Sequence, residues 1–480
     1  MIKVVLMVLG LFVSILLSAN VTLHSLFGES AVLQRNIPMP VYGTANPGER
    51  IEVDFNKQKA TTQADEHGNW KVILKPMEAG GPYVMMIQGE NRIEVKDLYL
   101  GEVWVCSGQS NMERQLGPRS GQKLIDNWEA ERDAADYPLI REYKVPVLRE
   151  KKHPMTDCNG KWTVCSPQTV KDFSAVAYFF ASELYKNLRV PVGLIYAAVG
   201  GTPIESWTSG EMMKKNSIYA KFLEEYDVAK AKADLEMVAY EANGAVGKPP
   251  QGISYSKYAL FNGMIAPLLD FPIKGVLWYQ GEANVGRWQT YTEMTKLMVE
   301  DWRNRWCVKK IPFLYVQLAP YRSNSAEMRE AQRRALEVIP YSAMVVITDC
   351  GDSTDIHPTN KRPVGERLAL AARALAYGQK IVYSGPAINK VRYKGGKAIL
   401  SFTFVGSGLV FKGSGLKGFE IAGRDLKFCP AKAIIIGDKV EVQSPQVPIP
   451  VAVRFGWSNI PDVNLFNKEG LPAVPFTTVR

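Results

Sequence analysis

Four short stretches of this 480-residue chain gather side chains suited to acyl transfer: CSGQSNM at 106–112, AVGGTPIESW at 198–207, YQGEAN at 279–284 and CGDSTDIHP at 350–358. Ester cleavage by a side chain needs a nucleophile, a base to take its proton, a group orienting that base, and fixed donors for the developing oxyanion. The first stretch offers three candidate nucleophiles, Cys106, Ser107 and Ser110. The second offers adjacent glycines, Gly200 and Gly201, whose backbone N–H groups can approach a substrate because no Cβ intervenes. The third offers the amide of Asn284 and the carboxylate of Glu282, and the fourth sets Asp352 and Asp355 beside His357.

Scarcity of histidine sharpens the choice of base. Of the four histidines, His24 and His67 fall in a β-rich N-terminal stretch and read as surface residues, and His153 sits in a basic loop, REKKHP. Only His357 follows a strand end in the α/β part of the chain, so a histidine base must be His357. The same scarcity argues against a histidine-rich metal centre. Residue types alone leave the orienting group open between Asp355, Asp352 and a backbone carbonyl behind a Ser–His dyad. Cys106 ends an apolar strand pattern and reads as buried and inert, and Ser107 as a turn residue bonding local backbone. The G-x-S-x-G elbow is absent, because Met112 stands where its last glycine belongs. Trp207, Trp278 and Tyr279 read as core or cleft walls, while Arg287 and Arg322 follow strand-end loops, where a solvated or structural role is favoured and contact with a sugar carboxylate is the alternative.

Such stretches need a scaffold that brings strand ends together. From Gly101 onward, apolar runs such as VGLIYAAVGG, GVLWYQG and IPFLYVQLAP alternate with helical patterns such as FSAVAYFFASELYKNL and YTEMTKLMVEDWRNRW. This predicts an α/β domain over 101–380, a parallel sheet with helices on both faces, whose ligand crevice lies beyond the carboxyl ends of the strands. A charged helical insertion is expected at about 210–243. Short alternating runs, RIEVDFN and NWKVILKP before it and AILSFTF and VAVRFGW after it, predict a β-sandwich-like domain over 20–100 and a β domain over 381–480. Residues 1–19, one early lysine and an apolar run ending in small residues, read as a signal peptide cut near Ala19–Asn20. The expectation is an exported protein, periplasmic or secreted, with no stable membrane insertion after cleavage. Its formal charge of +10 is scattered, which favours acidic glycans over nucleic acid as partners. Six cysteines without C-x-x-C spacing do not make a disulfide framework; most read as buried small hydrophobes, with room for one or two bridges, Cys158 with Cys165 foremost.

GQSNM, GGTPIESW, WYQGEAN and DIHP, in this order, resemble the blocks of the SGNH hydrolases, and more narrowly the sialate O-acetylesterase group of carbohydrate esterases. VLQRNIPMPVYGTANPGE and NLFNKEGLPAVPFTT extend the resemblance over nearly the whole mature chain. The resemblance implies a flavodoxin-like sheet, Ser110 as nucleophile and His357 as base. It implies an oxyanion hole built from the N–H of Ser110, an N–H of the Gly200–Gly201 turn and the Asn284 amide. Asp355 is favoured as orienter because it lies inside the DIHP block, although many SGNH enzymes carry the acid three residues before the histidine, where Thr354 stands here. Gln109, Glu282, Arg287 and Arg322 are expected to contact substrate, and neither a metal nor an organic cofactor is required. The implied activity is release of acetate from O-acetylated sialic acids. Acetylxylan or another glycan ester would use the same catalytic residues. A reading of another class, a non-catalytic glycan-binding protein with an esterase-like core, is opposed by the joint retention of Ser110, His357 and Asn284.

Overall fold

The computed structural model describes residues 20–150, 152–250, 252–253 and 257–479; the expected signal peptide lies outside the described residues. Its organising element is the 17-residue strand Arg92–Gly108. The first half of that strand pairs with Gly80–Gln88 and, through Tyr99 to Gly101, with Val32–Gln34. The second half pairs in parallel with Val192–Ala198 and with Gly275–Tyr279. The expected division at residue 100 therefore falls inside one continuous strand. Val103 and Val105 pack into one core and Trp104 and Cys106 into another, all fully buried, because successive side chains of a strand point to opposite faces and both faces are covered.

Across the sheet the strands run Ser342–Val345, Phe313–Val316, Gly275–Tyr279, Arg92–Gly108, Val192–Ala198, Tyr137–Lys144 and Lys161–Cys165, the last antiparallel. Without the added edge pair formed by the last two, the order by sequence is 2-1-3-4-5, the flavodoxin-like arrangement. Helices Ala175–Leu188 and Arg362–Leu375 cover one face, and Trp288–Arg305 and Ala326–Val338 the other. Their starts are locally encoded where a serine precedes them: the Ser174 and Ser325 hydroxyls accept the Ala177 and Met328 N–H groups. The winding reverses between Arg92–Gly108 and Gly275–Tyr279, which opens the crevice beyond their carboxyl ends.

The N-terminal strands contribute to the same core as one face of the parallel sheet. The C-terminal strands, from Ala387–Lys394 onward, enclose a separate core around Ile421, Val440, Val442 and Phe455. Helix Ala220–Ala242 buries only Phe222 and Tyr226 and carries exposed i,i+4 pairs, Lys221 with Glu225 at 3.7 Å and Lys232 with Glu236 at 3.9 Å. Among the described residues no helix is long and apolar enough to cross a membrane.

Two expectations are corrected. All six cysteines are free: Cys158 sits 3.4 Å from the Tyr143 hydroxyl and Cys165 3.7 Å from the Ala135 carbonyl, so the Cys158–Cys165 bridge is not formed. His24 is not a surface residue. The short turn Ser25–Phe27 docks on the loop before Lys161–Cys165, which buries His24 and brings its Nε2 to 3.0 Å from the Thr156 carbonyl.

Candidate active site

Ser110 opens the single-turn helix Ser110–Glu113 directly after the central strand. The turn depends on Gly108, whose φ of +137° is a glycine conformation and where a Cβ would stand 2.1 Å from the Tyr279 carbonyl oxygen. Gln109 then clamps the turn to the neighbouring loop. Its N–H donates to the Tyr279 carbonyl at 2.9 Å, and its Oε1 accepts from the Gly281 and Ala283 N–H groups, each at 3.3 Å. Gln109 is buried by this arrangement and does not stand open to a ligand as expected. Ser110 itself is half-buried. Behind the turn, the Cys106 thiol is pushed well up by burial, and the buried Ser107 hydroxyl has no hydrogen-bond partner among the described residues, so the local bond expected of Ser107 is not made there.

His357 sits in the loop between Ser342–Val345 and helix Arg362–Leu375, with Asp355 folded beneath it. One carboxylate oxygen, Asp355 Oδ1, accepts the His357 backbone N–H at 2.8 Å and lies 3.7 Å from His357 Nδ1. Asp352 is occupied elsewhere, accepting the Thr354 N–H at 2.8 Å and hydroxyl at 2.7 Å and pairing with Lys123 at 2.6 Å. Asn111 ties this loop to the serine turn. Its Nδ2 donates to the Ile356 carbonyl at 3.0 Å and to Glu282 Oε1 at 2.6 Å, while Lys361 Nζ donates to its Oδ1 at 2.5 Å. Burial, then the charge of Lys361, holds the His357 imidazole below its ordinary value, Asp355 opposing. Burial also pushes Lys361 down to about 7 and Glu282 upward. Glu282 Oε1 braces Asn111, and its buried Oε2 has no hydrogen-bond partner among the described residues.

Gly200 stands against the serine: a Cβ there would lie 3.3 Å from Ser110 Cβ and 2.7 Å from Glu113 Oε2. Its N–H donates to that Glu113 oxygen at 3.1 Å, so an oxyanion would have to displace a resident carboxylate to use it. Gly201 follows at a φ of +71°. Asn284 is buried, its Oδ1 accepting from Ile204 N at 3.0 Å and Gln280 Nε2 at 2.7 Å, and its Nδ2 donating to Glu205 Oε2 at 2.9 Å. These bonds join the GGTPIESW and YQGEAN blocks, and the second Nδ2 hydrogen goes to no acceptor among the described residues.

A family model described as carbohydrate esterase, sialic acid-specific acetylesterase, matches residues 100–241 and 255–374. The chain belongs to this carbohydrate esterase family. A solved carbohydrate acetylesterase from Xanthomonas citri is 39% identical, with a TM-score of 0.83, covering 95% of this chain and 99% of that one. Sialate O-acetylesterase of Homo sapiens is 29% identical over 500 residues, 91% of this chain and 88% of the relative. That of Mus musculus is 27% identical over 496 residues, 91% and 90%. The protein is a carboxylic ester hydrolase acting on O-acetyl groups of carbohydrates.

In the esterase one of the two arginines is paired and the other is solvated. Arg287 pairs at 2.9 Å with wholly buried Glu205, the residue that also holds Asn284. Arg322 is exposed beside the Tyr321 hydroxyl at 3.2 Å, and its carbonyl accepts from Asn459 Nδ2. Trp207 and Trp278 stack edge to face, centroids 6.0 Å apart, in the core and not along a cleft. Four residues of the site went unread in the sequence: Asn111, Glu113, Glu205 and Lys361. Asn111 and Glu205 lie inside quoted blocks, but Lys361 carries no local signal, since nothing in its surroundings announces a buried lysine.

Proposed function

We propose that this carbohydrate esterase is an exported serine enzyme that releases acetate from O-acetylated sialic acids. The observation that carries the catalytic reading is the Asn111 tie, which holds the His357–Asp355 loop against the Ser110 turn at the switch point of the sheet. The choice of sugar is supported by the named activity of relatives matched along 91% of the chain. Export is supported by the apolar run at residues 1–19.

In this reading Ser110 Oγ attacks the acetyl carbonyl while His357 takes its proton and passes it to the departing sugar hydroxyl. Asp355 keeps the imidazole oriented and stabilises its charged form. The carbonyl oxygen, negative in the tetrahedral intermediate, is received by the Ser110 N–H, the glycine-turn N–H vacated by Glu113 and the spare hydrogen of Asn284. Water, deprotonated by His357, then hydrolyses the acetyl-serine. His357 is suited to the task because burial and Lys361 favour its neutral form at neutral pH.

The test is acetate release from O-acetylated sialic acids and from acetylated xylo-oligosaccharides, by wild type and Ser110→Ala. Ser110-dependent release with higher kcat/KM on the sialic acids is expected. A preference for xylo-oligosaccharides removes the sialate assignment, and release that survives Ser110→Ala removes the nucleophile. For export, N-terminal sequencing of protein recovered outside the cytoplasm is expected to begin at Asn20.

A further inference from the structure

Beside the serine turn, a cavity of about 600 Å³ opens between the end of the added edge strands and the segment 113–119. Its wall is shared with the site: Glu113 lines it and also holds the Gly200 N–H next to Ser110. Three cations line it, Arg119, Lys144 and Lys161, against two carboxylates, Glu113 and Asp172. Glu113 is already engaged, by Gly200 and by Arg119 at 3.4 Å.

The lysines are placed unusually. Lys144 and Lys161 are direct cross-strand partners in the antiparallel pair of Tyr137–Lys144 with Lys161–Cys165. Like charges directly opposite one another destabilise a sheet, and neither ammonium is ion-paired among the described residues. Lys144 Nζ instead lies 5.8 Å from the Tyr196 ring centroid. The apolar segment Val145 to Val147 lines the same cavity, with Val147 left 56% exposed. A paired cation site facing an apolar wall, in a cavity that shares Glu113 with the serine turn, fits an anionic sugar better than a neutral one.

The geometry points to Lys144 and Lys161 as the seat for the carboxylate of a sugar acid, which sets the specificity of the esterase for acidic over neutral acetylated sugars. This assignment rests on the sialate reading but is tested apart from it. Inhibition of 4-nitrophenyl acetate hydrolysis is measured with free N-acetylneuraminic acid, with D-glucuronic acid and with the methyl ester of each. Wild type is expected to bind each acid about tenfold more tightly than its ester, and a K144M/K161M variant to bind acid and ester alike. A K221M/K232M variant, on the solvated long helix, serves as a control of equal charge change and keeps the wild-type ratios. A double variant that still prefers the acids, or a wild type that does not prefer them, overturns the seat. If the acids bind through the lysines while O-acetylated uronic acids are hydrolysed in preference to O-acetylated sialic acids, the seat stands and the sialate reading fails; acetate released only from neutral sugars overturns the seat.

Discussion

At the scale of single residues, the site separates groups that look interchangeable in the sequence. Ser110→Ala should lower kcat by at least about a thousandfold, the scale lost when a triad nucleophile is removed. Asp355→Asn should cost about a hundredfold or more in kcat, because the imidazole loses its charged neighbour at 3.7 Å. Asp352→Asn should stay within about threefold of wild type, its carboxylate being spent on Thr354 and Lys123. Equal rates for the two aspartate variants would sink the orienter assignment. The pH profile follows from His357. A base works only when neutral, so activity is complete above its pKa and is lost as pH falls through it. That pKa is held below 6.5, so the acid limb of kcat/KM against pH should have its midpoint below 6.5.

At the scale of elements, the catalytic loop is held by a chain of buried polar groups spanning three segments. Lys361, at the start of helix Arg362–Leu375, reaches Asn111 on the serine turn, and Asn111 reaches Ile356 beside His357. Burial lowers Lys361 to about 7, so it still carries charge over the lower part of the acid limb and opposes protonation of His357 there. Lys361→Met removes that repulsion, and the acid limb should move to higher pH; a limb that stays or moves lower would contradict the coupling. The strand-to-helix turn is equally constrained. Gly108→Ala must place a side chain at positive φ and against the Tyr279 carbonyl. It should destabilise the fold by more than about 2 kcal/mol, read as a lower urea midpoint with unchanged slope.

At the scale of the whole molecule, the strand Arg92–Gly108 makes the N-terminal strands and the parallel sheet one cooperative body. Val103 and Val105 share a core with Val32, Leu33 and Ile87. A chain beginning at residue 101 would lose half of this strand and strip that core. It should be insoluble or lack near-ultraviolet circular dichroism, and a well-folded, active product would refute the shared-core account. The C-terminal strands, with their own core, hold to the catalytic body through contacts such as Tyr321 N–H to the Asn459 carbonyl at 3.2 Å.

The sequence by itself determined the parallel α/β sheet and the four blocks at its strand ends, because strand and helix periodicities are local and because histidine is rare enough to single out His357. Gly200 was legible for the same reason, as one of two adjacent glycines whose absent Cβ leaves backbone N–H groups approachable, whereas the demand for glycine at 108 comes from the Tyr279 carbonyl of another strand. Only the tertiary structure decided which aspartate stands under the imidazole, that Gln109 is bonded to the Gly281–Ala283 loop and Arg287 to Glu205, that Cys158 and Cys165 stay apart, and that His24 is buried. Each of these depends on partners brought together from far along the chain. Lys361 and Asn111 are 250 residues apart and His24 and Thr156 are 132 apart. No periodicity or motif window spans such separations, whereas packing of the strands around Arg92–Gly108 closes them to hydrogen-bond distance.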